Sequence, residues 1–565
     1  MDLSWKVLAT PLKSAAVKAI LTTAGLVTLV LLLDNNLDNT SSKQKILANL
    51  LPAILLWLGL LAITRRFIIS ALVSGLVTFA LFAISAAKYD HIGQHLGFQD
   101  VFLGPQIIQG WDLFSQYTNP WLLAVTAAGL PVIFILGWRE RPLPIVVATL
   151  CFIVCFGGFY SISSDKIVPD TFYGSRAYGA RPWNANSTAE DQGLLAAIVT
   201  GARVAQFSPP PYDQTLIQSF TQQHPLISSQ NKVKPDIILW LGESFFDPGI
   251  FAHVDTCDPL PTFCNLLNAS LSGSIKVPTF GGNTTRTEFE VLTAVPFKLL
   301  GSKDYPYSTT VHNQFDSIAW SLKAENYHNV AIHPHDKTFW QRDRALPLLG
   351  FDEYLGRKDF NNNNKAGYWI SDASLAQEVI DKLDASQPPT LLFAISMEGH
   401  GPYGSQKNLD EKRLNTIPAP EHLDATEARM WREYIYHAQN TAHSLTTLKN
   451  YIDQRKRPTL LVFFGDHLPG MKPLFKQMDF DNLANAHQQS TPVLALANYP
   501  IASNWLPQFS YEVGLWTLEL AGNNTPSQLQ ELGQATSMAY SDNDNLVFKD
   551  VVKAMQARQI SSPAP

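Results

Sequence analysis

The sequence predicts a chain in two parts: an α-helical membrane domain of about five spans, then an exported α/β domain built on a mostly parallel sheet. Three observations predict this. Long apolar runs crowd residues 1–162 while the remainder has ordinary soluble composition, so the overall 46% hydrophobic and 16% charged content averages two unlike halves. From Pro235 onward, β-type runs alternate with helical stretches, as they do around a parallel sheet. Two of those runs also end alike, with glycine followed by an acid: Ile237-Ile238-Leu239-Trp240-Leu241 enters Gly242-Glu243-Ser244, and Leu460-Leu461-Val462-Phe463-Phe464 enters Gly465-Asp466-His467. Continuous apolar runs of this length fit strands buried on both faces. Ligands of open α/β sheets bind beyond the carboxyl ends of the strands, where Glu243, Asp466 and His467 would stand.

Five segments are apolar over about the 20 residues a bilayer requires: residues 15–33, 46–63, 67–87, 121–138 and 143–162. Lys18 lies near enough to the end of the first to snorkel to the interface. That segment lacks an A-x-A-like cleavage site and four spans follow it, so it reads as an uncleaved anchor rather than a signal peptide. Lys6, Lys13 and Lys18, then Arg65 and Arg66, then Arg139 and Arg141 fall on one side of five spans, which makes that side cytoplasmic. Lys43 and Lys45 are a weaker signal on the opposite side. Everything after residue 162 then faces outward. The connector 88–120 is also outside, and its Phe98, Phe102, Trp111, Phe114 and Tyr117 suit a segment lying along the interface.

A net charge of -6 gives no basic footprint for nucleic acid. Cys151 and Cys155 fall within the fifth span and read as small packing residues. Cys257 and Cys264 are in the exported half, where they form either a disulfide or a pair of buried thiols.

Residues 163–233 read as an extracytoplasmic linker with short helices, one of them opened by the capping box Ser187-Thr188-Ala189-Glu190 and running to Val204. Residues 234–565 form the second domain. Besides the two opening strands, Asn329–Ile332 ends at His333-Pro334-His335, and Thr390–Ile395 leads to Glu398-Gly399-His400. Helices are expected over Ser317–Glu325, Ser371–Leu383 and Ala425–Ile452, the last capped by Asp424. Four strands thus end in titratable side chains.

Between the first strand and the next helix runs Phe280-Gly281-Gly282-Asn283-Thr284-Thr285-Arg286-Thr287-Glu288-Phe289. Paired glycines let backbone approach an anion, and a hydroxyl just after them can stand at a helix N-terminus, where negative charge is favoured. The same run is equally compatible with a polar turn before a helix that buries Val291 and Leu292.

The ordered set of Gly-Glu-Ser, Gly-Gly-x-Thr-x-x-Thr-Glu-Phe, Phe339-Trp340-x-Arg342, Gly399-His400-Gly401-Pro402-Tyr403 and Gly465-Asp466-His467 resembles the lipoteichoic acid synthase and phosphoglycerol transferase group. That group belongs to the alkaline-phosphatase/sulfatase superfamily. The resemblance is close over residues 180–500 and extends to the membrane part only in layout. It implies a sulfatase-like (alkaline-phosphatase-like) fold, Thr284 as nucleophile, and Glu243, Thr284, Asp466 and His467 as ligands of one divalent metal. The residue types agree, because oxygens with one imidazole suit Mn²⁺ first, or Mg²⁺ or Zn²⁺. A bound cation also lowers the pKa of a hydroxyl that is otherwise a poor nucleophile.

The resemblance further implies that His400 binds substrate or shuttles a proton, and that Trp340 and Arg342 bind the substrate. His333 and His335, at a strand end, are candidates for one further substrate-lining residue, or hydrogen-bond only locally. It implies transfer of phosphoglycerol from phosphatidylglycerol, through a covalent threonine intermediate, to an envelope glycan or polyol at a bacterial inner membrane. Arg286 and Gly399 depart from the pattern, since small or acidic residues and asparagine are frequent there. The alternatives are a phosphoethanolamine transferase and a catalytically inactive glycan-binding membrane protein. A sulfatase would need an arginine that Cys257-Asp258-Pro259-Leu260-Pro261 lacks.

Overall fold

The computed structural model describes residues 4–34, 43–92, 94–103, 140–164, 167–173, 185–204, 211–226, 233–301, 305–361, 363–523 and 527–561, with isolated positions between 124 and 135. The chain divides into two compact units, residues 1–105 with 111–207, and residues 106–110 with 208–565.

In the first unit, helices span Ser4–Leu33, Lys43–Thr64, Phe67–Ile92 and Ile145–Ser163. Among the described residues, three helices are long and apolar enough to cross a membrane, and a shorter apolar stretch covers Val17–Leu33. Most of the expected span at 121–138 lies outside the described residues. Large apolar side chains such as Val146, Phe152, Ile153 and Phe156 are exposed, as suits a surface solvated by lipid rather than water. The helix expected from Ser187 to Val204 is two, Ala185–Gln192 and Leu194–Val204, broken at Gly193. Gly193 has φ +90°, and a Cβ there would lie 2.4 Å from Asn49 Nδ2. Buried Asn49 donates to Gln192 O (2.6 Å) and accepts from Ala196 N (2.9 Å), so the break brings backbone polar groups to a polar residue within an apolar helix.

The second unit contains strands β1 (Asp236–Gly242), β2 (Leu271–Ile275), β3 (His328–Ile332), β4 (Glu353–Leu355), β5 (Lys365–Ala366), β6 (Trp369–Ile370), β7 (Thr390–Ile395), β8 (Thr459–Gly465) and β9 (Thr491–Ala497). Seven form one sheet in the order β2-β9-β8-β1-β7-β3-β4, while β5 and β6 make a separate hairpin. Pairing is parallel from β8 through β4, and β9 is antiparallel to both β8 and β2. The sheet is therefore mostly parallel, as expected.

The apolar runs of β1 and β8 are buried throughout because both faces of the sheet are covered. Alternation of period two divides them: Ile237, Leu239 and Leu241 enter one core with Leu460, Val462 and Phe464, while Ile238 and Trp240 enter the other with Leu461 and Phe463. Each such side chain contributes about 1.5–3 kcal/mol of burial free energy, so the central strands form a rigid platform. The expected helices are present with their caps. Ser317 and Ser371 accept from Trp320 N and Ser374 N, and Asp424 forms a capping box with Glu427 at the start of Ala425–Gln454. Cys257 and Cys264 are joined in a disulfide, which leaves Cys257 no free thiol for the chemistry a sulfatase requires.

Candidate metal and nucleophile site

Register builds the site. β1 and β8 pair in parallel with Gly242 opposite Gly465, so the next residues, Glu243 and Asp466, leave adjacent strands at the same level. Gly465 permits the close approach, since a Cβ there would lie 2.0 Å from Phe245 O. Gly399 does the same from β7, because a Cβ would lie 2.2 Å from Glu243 O. The departure at Gly399 thus has a steric cause: the His400 turn lies against the backbone of Glu243.

One ligand atom from each of Glu243, Asp466 and His467 falls within 4.8 Å of the others, and all three residues are buried. Backbone contacts set their orientation. Asp466 Oδ1 accepts from Ser244 N (2.7 Å) and His467 N (2.8 Å). Asp466 Oδ2 is buried without a hydrogen bond. His467 Nδ1 lies 3.0 Å from Leu468 O. A carbonyl only accepts, so Nδ1 carries the proton and Nε2 keeps its lone pair. His467 Nε2 also has no hydrogen bond and stands 3.2 Å from Asp466 Oδ2. Burial pushes the Asp466 carboxyl well above its ordinary range, and Glu243 adds to this. Burial lowers the pKa of His467, which keeps the imidazole neutral. Two acidic side chains and a neutral imidazole, with buried atoms unsatisfied and converging, form a group that could hold a divalent cation.

Thr284 begins the helix Thr284–Thr293 and is buried. The residues before it turn left-handed, with φ of 70° at Gly281 and 62° at Asn283. Glycine supplies that conformation without strain, and asparagine tolerates it. Gly281 N donates to Leu468 O (2.8 Å) and Thr287 Oγ1 donates to Asp466 O (2.9 Å), so both the turn and the helix are fastened to the end of β8. Thr284 Oγ1 consequently donates to Glu243 Oε2 at 3.2 Å. Arg286 points elsewhere, its guanidinium lying 4.7 Å from the centre of the Phe297 ring.

The remaining candidates divide. His400 is half-buried, its Nδ1 2.9 Å from Gly401 O, and it is close enough to His333 and His467 to act on both electrostatically. His333 is buried, with Nδ1 3.0 Å from Ile395 O; burial and then Arg342 depress its pKa strongly, which keeps it neutral. His335 is buried among rings, 5.0 Å from Phe339 and 6.0 Å from Trp369. Trp340 stacks on Tyr305 at 5.0 Å. Trp340 and Gln341 have φ of 60° and 56°, a strained pair costing about 1–3 kcal/mol per residue.

Arg342, expected to bind substrate, lies inside the domain. It is buried and paired with Glu288, Nη2 to Oε1 at 2.5 Å and Nε to both oxygens at 3.2 Å. Only its Nη1 lacks a hydrogen bond. Sequence reasoning missed Glu288 in this role, and also the buried group behind the His400 turn. There Glu398 accepts from Asp372 N (2.7 Å), His437 Nδ1 (3.0 Å) and Asn440 Nδ2 (2.6 Å). Only the position of Glu398 at a strand end signalled it.

Residues 235–506 match the family model described as Sulfatase. A putative cyclic beta-1,2-glucan modification protein of Rhizobium meliloti (strain 1021) is 27% identical over 414 residues, covering 70% of this chain and 63% of the relative. The capsular polysaccharide biosynthesis protein RkpI of the same organism is 31% identical over 256 residues, 44% of each chain. The chain thus spans less than two thirds of the length of these curated relatives. Among solved structures, Streptococcus pyogenes phosphoglycerol transferase GacH in complex with sn-glycerol-1-phosphate superposes with TM-score 0.51 at 20% identity, covering 62% of this chain and 94% of that one. At that identity the likeness is one of fold.

Proposed function

We propose, from the match of residues 235–506 to the Sulfatase family model and from helices long and apolar enough to cross a membrane, that this chain is a metal-dependent phosphoglycerol transferase. The donor is phosphatidylglycerol and the acceptor a hydroxyl of an envelope glycan or polyol. One observation carries the reading: the Thr284 hydroxyl is buried at a helix N-terminus, hydrogen-bonded to Glu243 beside the convergent Asp466 and His467.

Glu243, Asp466, His467 and Thr284 hold the metal, for which Mn²⁺ is the first choice. When bound, the cation lowers the pKa of the threonine hydroxyl and offsets charge on the phosphoryl oxygens. The chain's own residues do the rest. Thr284 Oγ1 attacks the donor phosphorus as its proton passes to the lone pair of His400 Nε2, and the bond to the diacylglycerol oxygen breaks. His400 Nε2 then hands that proton to the leaving diacylglycerol oxygen. The acceptor hydroxyl then attacks the phosphoryl group on Thr284, and its proton passes through His400 Nε2 to Thr284 Oγ1 as the bond from phosphorus to that oxygen breaks. Arg342 Nη1 and Trp340 orient the phosphoglycerol, while Glu288 keeps the guanidinium fixed. Anchoring the chain in a bacterial inner membrane, where the donor lipid resides, raises the effective donor concentration. Relatives described by glucan modification and capsular polysaccharide biosynthesis favour a glycan acceptor.

The test supplies Mn²⁺ and labelled phosphatidylglycerol in vesicles to the full chain. Diacylglycerol is released by the wild type and not by Thr284→Ala. Release from phosphatidylethanolamine instead would make the chain a phosphoethanolamine transferase, and release from neither would favour an inactive glycan-binding protein.

A further inference from the structure

The loop that carries His400 is gripped from two sides by residues outside the metal cradle. On the inner side Glu398, fully buried, is held by Asp372 N, His437 and Asn440. On the other side lies the hairpin of β5 and β6. Its Gly367 N donates to Asn408 O (3.3 Å) and its Tyr368 Oη donates to Ser405 O (3.0 Å). Gly367 has φ +69°, and a Cβ there would lie 2.1 Å from Gln406 Oε1, so the hairpin turn sits directly on the loop.

The closest hold is by Trp369. Its Nε1 donates to His400 O at 2.9 Å, and its ring meets the His400 ring edge-on at 5.7 Å and 74°. The same indole lies 6.0 Å from the His335 ring. Trp369 is 6% exposed, so its geometry is set by packing rather than by solvent. His400 Nδ1 faces Gly401 O, which requires Nδ1 to carry the proton and leaves the Nε2 lone pair directed away from the loop.

We propose that Trp369 is a positioning residue for His400, fixing through the His400 carbonyl and ring where Nε2 points. The proposal rests on the transferase reading only in giving His400 a step to perform. Misplacing a reacting group by about 1 Å costs about 10²-fold in rate, so one hydrogen bond at this hinge has a large effect on turnover.

Trp369→Phe keeps an aromatic ring and removes the N–H. In full-length protein with Mn²⁺ and phosphatidylglycerol vesicles, turnover should fall about tenfold while KM stays within about twofold. In a His400→Ala background the same change should cost nothing further. Independently of activity, the rate at which diethyl pyrocarbonate modifies the His400 peptide, read by mass, should rise severalfold in Trp369→Phe. Equal losses of turnover with and without His400, or an unchanged modification rate, overturn the proposal. If the wild type releases no diacylglycerol, the transferase reading fails, and the modification rate alone decides whether Trp369 positions His400.

Discussion

Thr284 Oγ1 stands 3.2 Å from Glu243 Oε2 and donates a hydrogen bond to it across 41 positions of the chain. The contact joins two separately anchored elements. Glu243 is set by the register of β1 against β8, and Thr284 by a helix fastened to Asp466 O through Thr287. The Thr284 hydroxyl and the Glu243 carboxylate are therefore placed by backbone geometry. Such fixing reduces the reorganisation needed when charge develops.

Mn²⁺ should raise the thermal midpoint of the full chain, and a chelator should reverse the rise. The physical reason is that Asp466 Oδ2 and His467 Nε2 are buried without hydrogen bonds, so a cation satisfies both. Binding only to the folded state stabilises it by about 2.7 kcal/mol at 100 times the dissociation constant. Asp466→Asn should abolish the metal-dependent shift, as differential scanning calorimetry with and without metal would show.

Gly399→Asn should destabilise the domain and weaken metal binding together. The new Cβ would start 2.2 Å from Glu243 O, a backbone atom that can move only by shifting Glu243, which we propose as a metal ligand. Overpacking of this kind costs about 1–3 kcal/mol. Equilibrium denaturation and Mn²⁺ titration should change in parallel.

Glu288→Gln should cost about 3–5 kcal/mol, because it leaves the Arg342 charge buried and unpaired. Arg342 is 2% exposed and Glu288 0%. Urea unfolding measures the loss. Replacing both residues together should cost less than the sum of the single changes.

Glu290 gives a pH dependence of defined sign. Burial pushes its carboxyl up to about 7, against hydrogen bonds from Ser510 and Phe297 N that work the other way. A carboxyl whose folded pKa is raised stabilises the fold at low pH, and that stability is lost as pH rises from its ordinary value through about 7. Glu290→Gln should therefore gain stability relative to the wild type between pH 5 and pH 8, as paired melting curves would record. A difference constant with pH would contradict this.

Much of the site was legible before the fold was known, for a physical reason. Strands buried on both faces must be continuously apolar, so the glycine–acid pairs that end them are conspicuous, and parallel pairing brings such ends level. Gly281-Gly282-Asn283 was legible as a turn because its left-handed backbone calls for those residue types. The Glu288–Arg342 pair was not legible. It joins positions 54 apart whose proximity arises only from packing, and an arginine in a motif looks the same whether it faces substrate or core. Trp369 was hidden likewise, since a two-residue strand leaves no periodicity to read. In the first unit, apolar length marked helices long enough to cross a membrane, but the break at Gly193 depends on Asn49, which is remote in sequence.

The central claim is that Thr284 carries the transferred group. Full-length protein incubated with Mn²⁺ and phosphatidylglycerol but no acceptor, then quenched and digested, allows the mass of the Thr284 peptide to be read directly. A phosphoglycerol increment on Thr284 is the predicted result. Cleavage of the lipid with Thr284 unmodified, or with the increment on another residue, would contradict it.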